Sequence, residues 1–179
     1  MLLKVFMGLV VIVVVLAIVV ATRPSELRVA RSATMAAPAP LVFAQVNDFH
    51  KWEAWSPYVK RDPGMKKSFE GAPAGVGAIY TWSGNREVGE GRTTIIESRP
   101  SELIRVELVF ARPFAATSTA EFTFKPEGER TAVTWTLIGR NDFMGKAVGL
   151  VMNMDRMIGT DFESGLAQMK SIVETAPRR

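Results

Sequence analysis

The fold is decided at residues 131–174, which read TAVTWTLIGRNDFMGKAVGLVMNMDRMIGTDFESGLAQMKSIVE. In the first part, Val133, Trp135 and Leu137 alternate with polar residues, as the side chains of a half-buried strand do. Beyond residue 142 the period changes, and apolar residues recur at spacings of three and four from Ala147 to Val173. The stretch therefore predicts a strand that is followed directly by an amphipathic helix.

The predicted C-terminal helix extends from Phe143 to Glu174, and Asn141 or Asp142 can cap its start. A continuous helix of this length would reach about 50 Å, at ~1.5 Å per residue. We expect the helix to pack its apolar stripe against the concave face of a curved sheet. A break or bend in its first half is favoured by three glycines, Gly145, Gly149 and Gly159.

Further strand signals precede this stretch. Leu27–Met35 alternates apolar and polar residues, and later segments are bounded by turns that contain Gly, Pro or Asn. LVFAQVNDFHKWEAW predicts two short helices that break near Asn47 and end at Pro57. A strand, then helices, then closely spaced strands predict an α+β fold with an antiparallel sheet. The later strand segments read KKSFE, GAIYTWS, EVGEGRTTIIES, LIRVELVF and TSTAEFTFKP.

Strand parity predicts an inner sheet face that is apolar and rich in aromatic side chains. One interpretation is a well-packed core, since each such buried side chain stabilises a fold by about 1.5–3 kcal/mol. The other is a ligand cavity that a single helix does not fill. For the second interpretation we predict a binding site of six aromatic residues closed by three helix residues: Trp55, Tyr80, Trp82, Phe110, Phe122, Trp135, Leu150, Val151 and Met154.

Residues 5–22 carry no charge and lie between Lys4 and Arg23. This length suits a transmembrane helix, which needs about 20 apolar residues. A cleaved signal peptide is the alternative: VVA, ending at Ala21, can serve as a cleavage site, although signal peptides usually carry only about 7–15 apolar residues. We assign residues 1–22 to a membrane anchor or uncleaved signal, 23–26 to a linker, 27–175 to the folded domain and 176–179 to a tail.

The charge pattern gives weaker signals. Lys4 precedes the apolar segment and Arg23, Arg28 and Arg31 follow it, which favours a cytoplasmic domain. The net charge is +4, and we expect the basic residues between positions 60 and 67 to form a solvated loop or to face anionic lipid rather than nucleic acid. The chain has no cysteine, which excludes disulfides and thiolate metal sites.

The sequence offers no constellation for catalysis. His50 is the single histidine, so a zinc site lacks its second imidazole, and no nucleophile motif accompanies it. The pairs GVG and GEG lack the strand–turn–helix context of a phosphate loop. Glu90 and Asp155 are the remaining candidates for a general acid, but nearby arginines indicate surface ion pairs. We therefore predict no catalytic residue, no metal and no cofactor.

Four segments carry a resemblance to a known superfamily: VNDFHKWEAWSP, GVGAIYTWSGNREVGEGRTTI, TAVTWTLIGRNDFMGK and MDRMIGTDFESGLAQMK. From Arg28 to Glu174 the chain resembles the SRPBCC superfamily of START-like helix-grip proteins, in its polyketide cyclase/dehydrase branch. The resemblance implies a seven-stranded antiparallel sheet that grips the C-terminal helix, with a cavity between them. It also places the tryptophans of HKWEAWSP near the cavity mouth.

Many members of this superfamily bind lipids, hormones, quinones or polyketides, and a few are enzymes. Our leading hypothesis is a membrane-tethered binding protein for an apolar or amphipathic small molecule. The alternatives are an enzyme of the cyclase/dehydrase type and a membrane-bound module that contacts a protein partner. A large exposed apolar patch would favour the last of these.

Overall fold

The computed structural model describes residues 2–113 and 115–175. The predicted tail at residues 176–179 lies outside this range. Six helices are described: α1 (Leu2–Thr22), α2 (Ala39–Asn47), α3 (Trp52–Trp55), α4 (Pro57–Arg61), α5 (Phe143–Val151) and α6 (Met154–Thr175). The strands are β1 (Glu26–Met35), β2 (Lys66–Gly71), β3 (Ala78–Ser83), β4 (Glu90–Arg99), β5 (Leu103–Arg112), β6 (Ala116–Glu127) and β7 (Arg130–Arg140).

All seven strands form one antiparallel sheet in the order β1-β7-β6-β5-β4-β3-β2. Consecutive strands from β2 to β7 are neighbours, joined by short turns, and only β1 reaches its partner β7 from a distant part of the chain. The first and last strands of the sheet are therefore neighbours at one of its edges. This arrangement confirms the predicted α+β helix-grip fold.

The C-terminal helix is broken at Met152 and Asn153 into α5 and α6. The Asp142 carboxylate accepts a hydrogen bond from the Gly145 amide (2.7 Å) and caps α5, so that of the two caps predicted from sequence, Asn141 and Asp142, the second is the one used. Asn153 accepts one from the Arg156 amide (2.9 Å) at the start of α6. The predicted break is confirmed, and a capping side chain marks it rather than a glycine.

The segment between β1 and β2 differs in one respect from the sequence prediction. Helix α2 ends at Asn47 as expected, and a 3-10 turn (Phe49–Lys51) leads into α3. Pro57 does not end the helical segment but begins a further helix, α4. Proline suits a first helical position because its missing N–H has no partner to lose there.

Helix α6 packs across the concave face of the sheet, mainly over β1. It packs closely at Gly165, where a β-carbon would lie 3.0 Å from Cζ3 of Trp135 and 3.2 Å from Cδ of Pro57. The core between helix and sheet includes Ile95, Ile104 and Val106, which strand register places on the same face as Phe122 and Trp135. The inner face predicted from sequence is confirmed by burial and by strand register.

Candidate functional site

Three of the predicted aromatic residues form a packed floor cluster with Phe162 of α6. The rings of Trp135 and Phe162 stack with centroids 3.9 Å apart, and those of Phe122 and Trp135 stack at 4.9 Å. Trp55 lies at 5.6 Å from Trp135, edge to face, and its indole N–H donates to the Gln45 carbonyl (3.0 Å). Aromatic pairs with centroids about 4.5–7 Å apart, such as Phe122–Trp135 and Trp55–Trp135, add about 0.5–1.5 kcal/mol beyond their buried area. We call Trp55, Phe122, Trp135 and Phe162 the floor cluster.

The other three aromatic residues, Tyr80, Trp82 and Phe110, form a rim cluster. Tyr80 and Trp82 stack at 5.9 Å, and Phe110 meets Trp82 edge to face at 5.6 Å. The Trp82 indole donates to the Val88 carbonyl (3.0 Å) and lies directly over Gly91. A β-carbon at Gly91 would approach that ring to 2.6 Å, so this strand position has room only for glycine.

Phe49 connects the two clusters from the helical side. Its ring lies 4.9 Å from Trp52 and 6.1 Å from Tyr80, and Trp52 in turn lies 5.1 Å from Trp55. The six predicted aromatics thus belong to two clusters on one face, joined through two residues that the site prediction did not include. Both belong to the segment VNDFHKWEAWSP, and the spacing of Trp52 and Trp55 by three residues was the signal available for Trp52.

Small residues separate the clusters along the sheet. Cross-strand pairing puts Gly139 opposite Ser118, Ser118 opposite Leu108, and Leu108 opposite Thr93. Ser118 lies four residues before Phe122 on β6, which corresponds to about 13 Å at 3.3 Å per residue. Leu108 and Leu137, beside these positions, are partly buried and pack against the core, and Thr93 and Ala120 are buried. We call Thr93, Ser118, Ala120 and Gly139 the small-residue band.

Two polar atoms on this face are buried and have no hydrogen-bond partner among the described residues: the Tyr80 hydroxyl oxygen and the Trp135 indole nitrogen. They belong to the rim and floor clusters, on either side of the small-residue band. Burial raises the pKa of Tyr80 to about 12, and Glu53 adds to the shift. The hydroxyl therefore keeps its proton at neutral pH and is available as a donor.

The predicted helix residues lie elsewhere. Leu150, Val151 and Met154 line an open cleft of about 420 Å³ at the break between α5 and α6. Its remaining lining residues are Asn141, Gly149, Met152 and Asn153, so none of the six predicted aromatics contributes to it. A second, smaller cavity of about 130 Å³ lies at the edge of the sheet, between the 3-10 turn and the β2–β3 hairpin.

The sequence profile described as Polyketide cyclase / dehydrase and lipid transport matches residues 26–174. The chain belongs to this family. Membership in the polyketide cyclase/dehydrase family implies that the domain binds small hydrophobic molecules. No curated protein matches the sequence.

Solved structures support the fold of the family. The di-domain ARO/CYC StfQ from the steffimycin biosynthetic pathway has a TM-score of 0.61 at 11% identity, over 84% of this chain and 51% of that chain. Protein CV1439 from Chromobacterium violaceum has a TM-score of 0.60 at 17% identity, over 86% of this chain and 100% of that chain. Mll3558 from Rhizobium loti has a TM-score of 0.57 at 22% identity, over 82% of this chain and 96% of that chain.

The side chains considered for acid–base chemistry lie outside the two clusters of this family member. His50 is largely exposed, stacks on Phe69 at 4.1 Å and bonds to Asp48 at 3.1 Å. Glu90 pairs with Arg112, and Asp155 pairs with Arg31 (3.0 Å). The interpretation of Glu90 and Asp155 as ion-paired is confirmed, although their arginine partners are distant in sequence.

The basic segment near position 60 is more structured than the sequence suggested. Arg61 ends α4 and pairs with the buried carboxylate of Asp161 on α6. Burial raises the pKa of the adjacent Tyr58 well above its ordinary value, and Asp161 contributes to the shift. Lys67 lies on β2 and pairs with Glu53 of α3. The expected solvated loop is wrong for these two basic residues, because each is held by a carboxylate from a helix.

Proposed function

We propose that the domain binds an apolar or amphipathic small molecule, such as a lipid, a quinone or a polyketide-like compound, between the sheet and α6. In this proposal the ligand rests on the small-residue band, with the floor cluster at one end and the rim cluster at the other. Leu150, Val151 and Met154 form the entrance beside α5. Helix α1 holds the domain at a membrane, where such molecules concentrate.

The observation that carries the proposal is the pair of unpartnered donors at the borders of the band. A buried polar group without a partner costs about 1–3 kcal/mol. An amphipathic ligand with a carbonyl or hydroxyl oxygen would remove that cost at the Tyr80 hydroxyl or the Trp135 indole. An apolar face with a few placed polar groups is the usual composition of a small-molecule site.

The tether is supported by the properties of α1. The segment Lys4–Thr22 is long and apolar enough to cross a membrane, with a mean hydropathy of 3.2. Residues 4–19 are exposed along the whole helix, so the domain does not take this apolar surface into its core. A helix of this composition is stable in lipid, where its backbone hydrogen bonds are satisfied internally.

A reaction of the cyclase or dehydrase type is the second candidate, and the family description includes it. It needs a group whose pKa lies near the working pH. The Tyr80 hydroxyl, with its pKa raised to about 12, is better suited to donate a hydrogen bond than to transfer a proton. The carboxylates of Glu90 and Asp155 are engaged by arginines. These features favour binding over catalysis.

To test the proposal, a large side chain is introduced into the small-residue band. Ser118→Leu replaces a hydroxymethyl group by an isobutyl group on the inner face, whereas Thr119→Leu places the same isobutyl group on the outer face of the same strand. Both proteins are purified as full chains from their native membranes and compared with wild type by native mass spectrometry. We expect a small molecule to co-purify with wild type and Thr119→Leu, and its occupancy to fall at least tenfold in Ser118→Leu, which corresponds to a loss of about 1.4 kcal/mol or more in binding free energy.

Circular dichroism and thermal unfolding control for misfolding of the variants. Equal occupancy in folded Ser118→Leu and wild type would place the ligand elsewhere. If wild type carries no small molecule and also fails to bind cis-parinaric acid, a fluorescent fatty acid, the binding proposal is wrong.

A further inference from the structure

Helix α5 carries an apolar surface that the domain does not cover. None of its nine residues, Phe143–Val151, is buried. Phe143, Met144 and Val151 are 55%, 60% and 85% exposed. Residues 143, 147 and 151 lie on one face at helical spacing, with Met144 beside them. An exposed apolar patch of this kind marks a contact with a protein or a membrane.

The position of α5 relative to α1 decides between these partners. Helix α5 packs against the end of α1, and Val20, in the last turn of α1, is only 5% exposed. The Lys146 ammonium group lies 3.4 Å from the Ala21 carbonyl oxygen. The Asn141 amide also donates to the Ser25 carbonyl (2.7 Å), which fixes the start of α5 beside the chain that leaves α1.

The length of α1 determines how deep α5 lies in a membrane that α1 spans. Its 21 residues correspond to about 30 Å at 1.5 Å per residue, which matches the thickness of the hydrocarbon core. When α1 spans the membrane, Val20 and Ala21 lie at the boundary between hydrocarbon and headgroups. A helix packed against these two residues is held at the same depth.

The charges around α5 suit this depth. Arg23 follows α1 directly, Arg140 immediately precedes the loop into α5, and both are exposed. Lys146 lies within α5 itself. Basic groups beside an apolar helix face favour the interfacial zone of a bilayer, where they meet lipid phosphates.

We infer that α5 lies in the lipid–water interface of the membrane that α1 spans, with Phe143, Met144 and Val151 inserted among the acyl chains. The inference rests on the proposed tethering by α1. It has a consequence for the 420 Å³ cleft between α5 and α6, which is lined by Leu150, Val151 and Met154. That cleft opens towards lipid rather than water, so a lipid-soluble ligand reaches the domain without crossing the aqueous phase.

The absence of cysteine from the chain allows a direct test with single-cysteine variants of the full-length protein. Val151→Cys reports on α5, and Val13→Cys reports on α1. Val76→Cys is the matched control, since Val76 is 59% exposed in the loop between β2 and β3, at the sheet end away from Trp82. Each variant carries the fluorophore NBD and is reconstituted in vesicles of phosphatidylcholine and phosphatidylglycerol. Quenching is measured with iodide from water and with doxyl-labelled phosphatidylcholine from lipid.

We expect NBD at positions 151 and 13 to be quenched by the doxyl lipid and shielded from iodide, and NBD at position 76 to show the reverse. If position 13 behaves so but position 151 is quenched by iodide, the docking of α5 is wrong and the tether stands. If position 151 is shielded from both quenchers, another protein copy covers it and the inference is again wrong. If position 13 itself is open to iodide and untouched by the doxyl lipid, the tether fails and the inference with it.

Discussion

Helices α5 and α6 come from one apolar stripe, yet they meet different surroundings. Helix α6 buries seven of its residues, including Phe162 and Leu166, whereas α5 buries none. The period of the sequence is the same in both. An amphipathic pattern therefore indicates that a helix has an apolar neighbour, but it does not say whether that neighbour is the sheet or a membrane.

The largest expected effect on stability comes from a comparison of two phenylalanine substitutions, one in each helix. Phe162→Ala in α6 removes a buried ring that stacks on Trp135 at 3.9 Å, and we expect it to lower the free energy of unfolding by about 3–5 kcal/mol. Phe143→Ala in α5 removes an exposed ring, and we expect a change within about 0.5 kcal/mol. Urea unfolding of the full chain in detergent micelles, followed by tryptophan fluorescence, measures both. Similar losses in the two variants would mean that α5 belongs to the core.

A smaller effect on stability is expected from a comparison of two glycine substitutions, again one in each helix. A β-carbon at Gly165 of α6 would lie 3.0 Å from the Trp135 ring, so Gly165→Ala should cost about 1–3 kcal/mol through overpacking. A β-carbon at Gly149 of α5 meets nothing within 4 Å, so Gly149→Ala should leave stability unchanged or raise it by up to about 1 kcal/mol. The same unfolding measurement applies. A stable Gly165→Ala protein would show that α6 can move away from the sheet.

Features that depend on the local spacing of apolar and polar residues could be predicted from the sequence. Parity at Phe122 and Trp135 predicted their common face, because alternation is a property of each strand alone. The cap of α5 depends only on neighbouring residues, so the sequence limits it to Asn141 or Asp142, and the structure shows that it is Asp142. These local signals, together with the resemblance, gave the architecture of the sheet and the long C-terminal helix.

Contacts between helices and strands that are distant in the sequence could not be predicted from local spacing. No local pattern indicates that Arg31 of β1 reaches Asp155, 124 residues later, or that Arg61 reaches Asp161. It also did not separate the six aromatics into floor and rim clusters. That separation depends on strand register, which places Ser118 and Gly139 between them. Whether a ligand occupies this band stays a prediction.

The smallest expected effect concerns the start of α6, where Arg31 donates hydrogen bonds to both carboxylate oxygens of Asp155 (3.0 and 3.2 Å). These bonds lower the pKa of Asp155 below its ordinary value near 3.8, and the positive charge of Arg31 adds to the shift. Because the pKa is lower in the folded protein, the pair stabilises the fold above the unfolded pKa. That contribution is lost as the pH falls through the folded pKa. The carboxylate is 60% exposed, so solvent screening keeps the contribution small.

Asp155→Asn should therefore lower the melting temperature slightly at neutral pH, because asparagine keeps the shape of the side chain without its charge. The gap between variant and wild type should begin to shrink as the pH falls below about 3.8 and should close once the pH is below the lowered pKa of the folded wild-type carboxylate, which is then neutral as well. Asp142→Asn in α5 is the matched control, since asparagine retains the capping oxygen and no arginine pair is lost there. Thermal unfolding across the acid range measures both variants. A gap at Asp155 that persists undiminished in acid would mean that packing of α6 on β1, rather than the charge pair with Arg31, holds its first turn in place.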